Sequence, residues 1–229
     1  MSDVTVKVVR WLVVLAIPVF LVLSASRLLI SDWYPRFEYA KPDFPLDRYG
    51  FTQQERTDLA LVNIHFLQRP EPPDVAIQML AELRLPGTDS PLFKPNELSH
   101  MVDVKRLTDA LWRVWALAGV IVAAGEITLL ARRATRWEGY QALYAGGLLT
   151  AACVGILVAF VLLSWQAFFI AFHDVFFPPG TWTFEYTDSL IRLFPDRFWS
   201  DAGTMLTVGP LLAGLLVAAA GYLLKRRTS

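Results

Sequence analysis

Two of the three histidines in this chain of 229 residues, His100 and His173, flank one short basic turn, Arg132-Arg133-Ala134-Thr135-Arg136, and the midpoint between them, 136.5, falls at its end. An imidazole titrates near about 6.5, so it can take up a proton and return it close to neutral pH. Both flanks of the turn read as apolar helix. If they are continuous and fold into an antiparallel hairpin, equal residue counts at about 1.5 Å of rise bring both rings to the same height on one side of a membrane. The pair is a candidate active site for general acid–base chemistry.

The surroundings of each histidine fit that expectation. Asn96 is placed to cap a helix that carries Glu97, Leu98, Ser99 and His100, with Asp103 three residues beyond His100. Asp103 can either fix the His100 tautomer or pair with Arg106 at the i+3 spacing. On the other flank Gln166, Phe169 and His173 share a helix face, followed by Asp174 and the aromatic turn Phe176-Phe177-Pro178-Pro179-Gly180-Thr181-Trp182. Two histidines and one carboxylate lack a third clear metal ligand. No metal and no cofactor are expected, and the chain has no glycine-rich phosphate loop or metalloprotease helix motif.

The elements that must carry these residues follow from composition. With 55% hydrophobic and 18% charged residues and a mean hydropathy of +0.41, the chain reads as an all-α integral membrane protein. Its zero net charge gives no sign of a nucleic-acid partner. Four apolar stretches approach the roughly 20 residues a spanning helix needs: Trp11 to Ile30, Leu111 to Leu130, Ala142 to Leu163 continuing toward His173, and Met205 to Leu224. The first has Lys7 and Arg10 before it and Ser24-Ala25-Ser26 near its end, like a signal peptide, but its apolar run continues through Ile30, so a retained anchor is expected. The lone cysteine, Cys153, lies in an apolar run and has no intramolecular disulfide partner.

Basic residues in the short flanks set the orientation: Lys7 and Arg10, then Arg132, Arg133 and Arg136, then Lys225, Arg226 and Arg227. Both termini are expected in the cytoplasm and the histidines on the extracytoplasmic side. The resulting organisation has residues 1–30 as N-terminal flank and first span, 31–106 as an extracytoplasmic helical segment, and 107–131 as the second span. Residues 132–141 form the cytoplasmic turn, 142–173 the third span, 174–203 an extracytoplasmic loop, and 204–229 the fourth span and tail. In the outer segment a Thr52-Gln53-Gln54-Glu55 capping box predicts a helix over 53–68 with an apolar face at Leu59, Val62 and Phe66. Asp74 is expected to cap a second short helix reaching Arg84, so the cap is small and helical.

Three strings go further: DRYGFTQQER (47–56), ELSHMVDVK (97–105) and FHDVFFPPGTWTF (172–184), the last followed by Leu190-Ile191-Arg192-Leu193-Phe194-Pro195. With the four spans they make the chain resemble the bacterial lipoprotein intramolecular transacylases. The resemblance implies transfer of the sn-2 acyl chain of a lipoprotein's diacylglyceryl-cysteine onto the α-amino group of that cysteine, giving a lyso-form lipoprotein. It also implies that His100 and His173 are the catalytic residues of a cell-membrane enzyme whose partners are diacylated lipoprotein and membrane lipid, acting as a monomer. Such a shift needs no enzyme nucleophile, because one substrate molecule supplies both amine and ester.

For that reaction Asp103, Arg56 and Arg192 are the candidate supporting groups, the arginines as partners for a carbonyl or developing oxyanion. Trp165, Phe169, Phe172 and Trp182 are the candidate substrate-lining residues, each equally readable as part of an interfacial aromatic belt. A metal-dependent membrane hydrolase and a noncatalytic membrane scaffold are the alternative functions. His65 reads as structural or exposed, Arg113 as an outer-edge charge of the second span, and Glu126 as a carboxylate that snorkels to Arg132 and Arg133.

Overall fold

The computed structural model describes residues 2–227. Its helices, in chain order, are α1 (Asp3–Leu29), α2 (Trp33–Tyr39), α3 (Gln53–Gln68), α4 (Pro73–Ala76), α5 (Gln78–Ala81), α6 (Pro95–Leu130), α7 (Arg136–Leu163), α8 (Trp165–Phe176), α9 (Ser189–Leu193) and α10 (Asp196–Arg226). Among the described residues there is no strand, only an isolated antiparallel bridge between Arg84 and Pro91. Helices α1, α6, α7 and α10 are long and apolar enough to cross a membrane. The protein is therefore an all-α membrane protein with four such helices. At about 1.5 Å per residue the 36 residues of α6 exceed a hydrocarbon core of about 30 Å, so only part of α6 can lie within it.

The chain divides into two compact units: one comprises the chain up to Ser26, Leu111–Leu163 and Thr204 onward, the other Arg27–Ala110 and Ser164–Gly203. The first is a bundle of the apolar helices, with a core of Val6, Val13, Val14, Ile17, Leu129 and Ala142. Lipid tails are as apolar as leucine, so helices associate in a membrane through close packing, which small residues permit. An added Cβ at Gly125 would lie 2.3 Å from Val13, at Gly146 2.6 Å from Ile17, and at Gly147 2.4 Å from the backbone of Gly214 and Ala218. The turn between α6 and α7 is tied back by Thr135, whose hydroxyl donates to the Leu129 carbonyl at 2.7 Å, and by Arg136 Nε, which donates to the Leu130 carbonyl at 3.0 Å. These bonds satisfy helix-end carbonyls that have no partner within the helix. Glu126 departs from its expected course, because both its carboxylate oxygens are buried without a hydrogen-bond partner and do not reach Arg132 or Arg133.

The second unit is built around aromatic and polar side chains. Tyr34, Tyr39, Phe66, Leu80 and Leu193 are fully buried beside Glu38, Glu97, Lys105 and Asn63. Helix α3 begins at the capping box, with the Thr52 hydroxyl accepting from the Glu55 amide and the Glu55 carboxylate accepting from the Thr52 amide. Of the expected face Phe66 is buried, but Leu59 and Val62 are not, and the other buried residues are Arg56, Ala60, Leu61, Asn63, Ile64 and Leu67. Arg56 and Asn63 among them conceal the buried face from a reading of hydropathy alone. Asp74 lies within α4, whose N-cap is Pro72, and the expected second helix is split into α4 and α5.

A larger difference falls at Ser164. The expected single helix over 142–173 is two helices, because Ser164 takes an extended backbone conformation and its hydroxyl accepts from the Ala167 amide as the N-cap of α8. Serine is among the favoured N-cap residues, and here it opens a new helix in an apolar run that offers no other break. Helix α8, twelve residues long with no buried residue, carries His173.

Candidate active site

His100 comes from the first turns of α6. The helix starts one residue before Asn96, so the expected Asn96 cap is replaced by Glu97, whose carboxylate accepts from the Lys94 amide at 2.7 Å. Its other carboxylate oxygen accepts from the Leu190 amide at 2.8 Å. One buried side chain thus fixes the start of both α6 and α9. Ser189 reinforces this by donating to the Leu92 carbonyl at 2.5 Å, and Asp188 accepts from the Lys94 ammonium. Glu97 lies one turn before His100, so the residues leading into α9 are anchored beside the histidine.

The other wall is the aromatic turn after α8. Pro178-Pro179-Gly180-Thr181 forms a β-turn in which the Thr181 amide donates to the Pro178 carbonyl at 3.2 Å. Gly180 has φ +81°, so proline at the second and glycine at the third position match a type II turn, which requires positive φ there. The turn returns the chain so that the Trp182 ring lies 4.8 Å from His173.

Between these walls the two imidazoles meet. The His100 and His173 ring centroids are 6.3 Å apart with planes inclined by 23°. Phe177 lies 4.9 Å from His100 and 5.5 Å from His173, Phe184 lies 5.4 Å from His100, and Phe169 lies 4.1 Å from His173. His173 Nδ1 lies 2.8 Å from the Phe169 carbonyl oxygen. A carbonyl can only accept, so Nδ1 carries the proton and, in the neutral ring, Nε2 carries the lone pair. Burial lowers the His173 pKa from its ordinary value, against smaller upward contributions from the Phe169 carbonyl and Asp174; the ring is neutral at physiological pH. His100 is 8% exposed, and its Nδ1 is buried without a hydrogen-bond partner. The indole Nε1 of Trp182 is also buried without one.

The remaining candidates divide clearly. Trp165 packs on Phe168 and Phe169 at 5.8 Å, and Phe172 lies 5.5 Å from His173, so both belong to the aromatic surround of α8. Asp103 takes the second of its two expected roles, pairing with Arg106 at 3.2 Å. Arg56 donates to the Pro45 carbonyl at 2.6 Å and stacks between Tyr39 and Phe44. Arg192 pairs with Asp47 at 2.9 Å and lies 3.6 Å over the Phe51 ring. Both guanidinium groups are engaged within the fold, away from the carbonyl-binding role expected of them. Phe177 and Phe184 were not expected at the site; their only sequence signal is membership of the aromatic string that contains His173 and Trp182.

Fold and site together define a membrane-integral helical protein in which a buried and a part-buried histidine, able to move protons, meet in a site walled by aromatic rings. Residues 11–199 match the sequence model of the family described as lipoprotein intramolecular transacylase Lit. The chain belongs to this family, and it is an enzyme of intramolecular acyl transfer on lipoproteins. The structure is similar to that of the membrane-integral lipoprotein intramolecular transacylase Lit from Bacillus cereus, with TM-score 0.82 and 22% identity over the whole of both chains. It is also similar to a histidine-to-alanine variant of that protein, with TM-score 0.73 and 21% identity over 98% of this chain and 96% of the other. An uncharacterized protein of Aquifex aeolicus (strain VF5) is 26% identical over 220 residues, 96% of each chain.

Proposed function

We propose that the enzyme transfers the sn-2 acyl chain of a diacylglyceryl-cysteine to the α-amino group of the same cysteine, with His173 and His100 moving the protons. The observation that carries this reading is the bond from His173 Nδ1 to the Phe169 carbonyl, which leaves Nε2 as a base lone pair beside His100. The substrate's ammonium, titrating near about 8, can lose a proton to such a ring near neutral pH. The freed amine attacks the ester carbonyl of its own molecule, the tetrahedral intermediate expels the glycerol oxygen, and that oxygen takes a proton back. An ester and an amine become an amide and an alcohol, with no co-reactant. Rings 6.3 Å apart are near enough for one substrate group to reach both, so His173 serves as proton acceptor and His100 completes the return path.

Basic residues at both termini and in the 132–136 turn support cytoplasmic ends, with residues 31–106 and 173–202, and hence His100 and His173, on the extracytoplasmic side. The proposal takes the enzyme to act as a monomer. Mass spectrometry of the N-terminal lipopeptide of a diacylated lipoprotein tests the reaction: its mass stays constant while fragmentation moves one acyl chain from glycerol to the amine. Loss of a chain to water, or gain of one from phospholipid, would refute an intramolecular transfer.

A further inference from the structure

The proton path leaves one charge unaccounted for. When the amine nitrogen bonds to the ester carbon, the carbonyl π pair moves onto oxygen, and in a site walled by aromatic rings that oxyanion needs a donor aimed at it. The arginines are engaged elsewhere, Arg56 with Pro45 and Arg192 with Asp47. Neutral His173 spends its one N–H on Phe169.

Trp182 has the donor. An indole N–H only donates, and a buried one normally finds an acceptor. In this protein Trp33 Nε1 donates to the Leu28 carbonyl at 2.6 Å and Trp115 Nε1 to the Ser24 hydroxyl at 2.9 Å. Trp182 Nε1 is buried and has no acceptor, although its ring lies 4.8 Å from His173 and 6.5 Å from Phe169. Leaving such a group unpaired costs about 1–3 kcal/mol. Glu38, Arg56 and Asn63 also have one unpaired buried atom, but each bonds through a second: Glu38 to Lys41, Arg56 to Pro45, and Asn63 to Leu59. Trp182 has a single polar atom, and the adjacent turn at Gly180 holds it against the catalytic ring.

We propose that Trp182 Nε1–H donates a hydrogen bond to the acyl carbonyl oxygen of the substrate and strengthens that bond as the oxygen becomes an oxyanion. No bond to Trp182 forms or breaks; when the intermediate collapses, the electron pair on oxygen re-forms the carbonyl, now of an amide. The proposal rests on the acyl-transfer reading above and adds a catalytic residue to it.

Two variants of the full-length enzyme in membranes test it, with diacylated lipoprotein as substrate. Trp182→Phe removes the donor together with part of the ring, whereas Trp182→3-benzothienylalanine replaces N–H by sulfur and keeps the bicyclic shape. Both are expected to lower kcat on the order of 10²–10³-fold, with KM changed by less than about threefold and the acid limb of the pH profile in place. If the benzothienyl enzyme keeps kcat within about threefold of the parent, the N–H has no role and the proposal is overturned, whatever the phenylalanine variant does. A rise in KM at constant kcat would also overturn it, since the bond would then serve only ground-state binding. His173→Ala run alongside separates the two readings. An active His173→Ala enzyme refutes the histidine mechanism, whereas an inactive one beside a fully active benzothienyl enzyme refutes only the role of Trp182.

Discussion

In the bundle, Gly147 of α7 lies so close to α10 that an added Cβ would come within 2.4 Å of the Ala218 amide nitrogen. In the histidine-bearing unit, Arg192 lies over the Phe51 ring and pairs with Asp47, while Lys105 is wholly buried and donates to the Arg69 carbonyl at 2.7 Å and to Asp109 at 3.1 Å. The two regions solve different problems with the same chain. Lipid gives no hydrophobic drive toward association, so the bundle depends on backbone proximity and small residues. The second unit buries charges, which is tolerable only when each is paired or hydrogen-bonded. In that unit Trp182 Nε1 and His100 Nδ1 are buried without a hydrogen-bond partner, and under the proposed function both are groups that substrate would meet.

Removing either member of the histidine pair tests this contrast most severely. His100→Ala and His173→Ala are each expected to lose activity on the order of 10²–10⁴-fold, with the double variant little worse than either single one, because groups acting as a unit are not additive. Thermal unfolding in detergent should change little by comparison, as the bundle is untouched. The parent enzyme's rate should hold through the ordinary histidine value of about 6.5 and fall only at lower pH, for a definite reason of sign. Burial lowers the His173 pKa, so the neutral base persists below its ordinary value of about 6.5 and is lost only as pH falls through the lowered one. A rate unchanged from pH 5 to 8 with chemistry limiting, or fully multiplicative losses in the double variant, would break the shared-site reading.

The sequence disclosed what is local and withheld what is not. The Thr52–Glu55 capping box is complete within four residues, and α3 starts where it predicts. The four apolar helices announce themselves by length alone. His100 and His173 could be paired because few other side chains offer proton transfer near neutral pH, although the reason given for their meeting, equal lengths of unbroken helix, does not hold once Ser164 ends α7. The Arg192–Asp47 pair joins positions 145 residues apart, and no periodicity reports it, so Arg192 could be read as an anion binder. Glu97 looked like one more charge in a first helical turn. Its second bond, to Leu190, makes it the anchor of two helices, and only the fold brings that amide to it.

The bundle side of the comparison is sharpened by Gly147→Ala. One methyl group would meet backbone atoms of Gly214 and Ala218 at 2.4 Å, and backbone cannot swing aside as a flexible side chain can. Overpacking of this kind costs about 1–3 kcal/mol, visible as a lower unfolding temperature in detergent, with kcat of the remaining folded enzyme unchanged. Gly155, where an added Cβ meets nothing within 4 Å, is the matched control, and its alanine variant should be no less stable than the parent. If both variants behaved alike, close approach would not be what holds α7 to α10.

The smallest effect is expected at the third histidine. His65 Nε2 lies 2.9 Å from Asp32 and both side chains are close to half exposed, so the pair faces water, is ionic only when the ring is protonated, and is screened by salt. It also shares its structural task, since Gln68, one turn along α3, donates to the Ile30 carbonyl at 2.9 Å and holds the same two segments together. His65→Ala should therefore lower stability by less than about 1 kcal/mol, with the difference shrinking at high salt and transacylation rates equal to those of the parent. Double substitution with Gln68→Ala should expose what the single change hides, because the second tie is then gone. An activity loss of more than about tenfold in His65→Ala alone, with unfolding unchanged, would mean that protons leave the active pair by a route through α3, and the division between two working imidazoles and one structural imidazole would have to be redrawn.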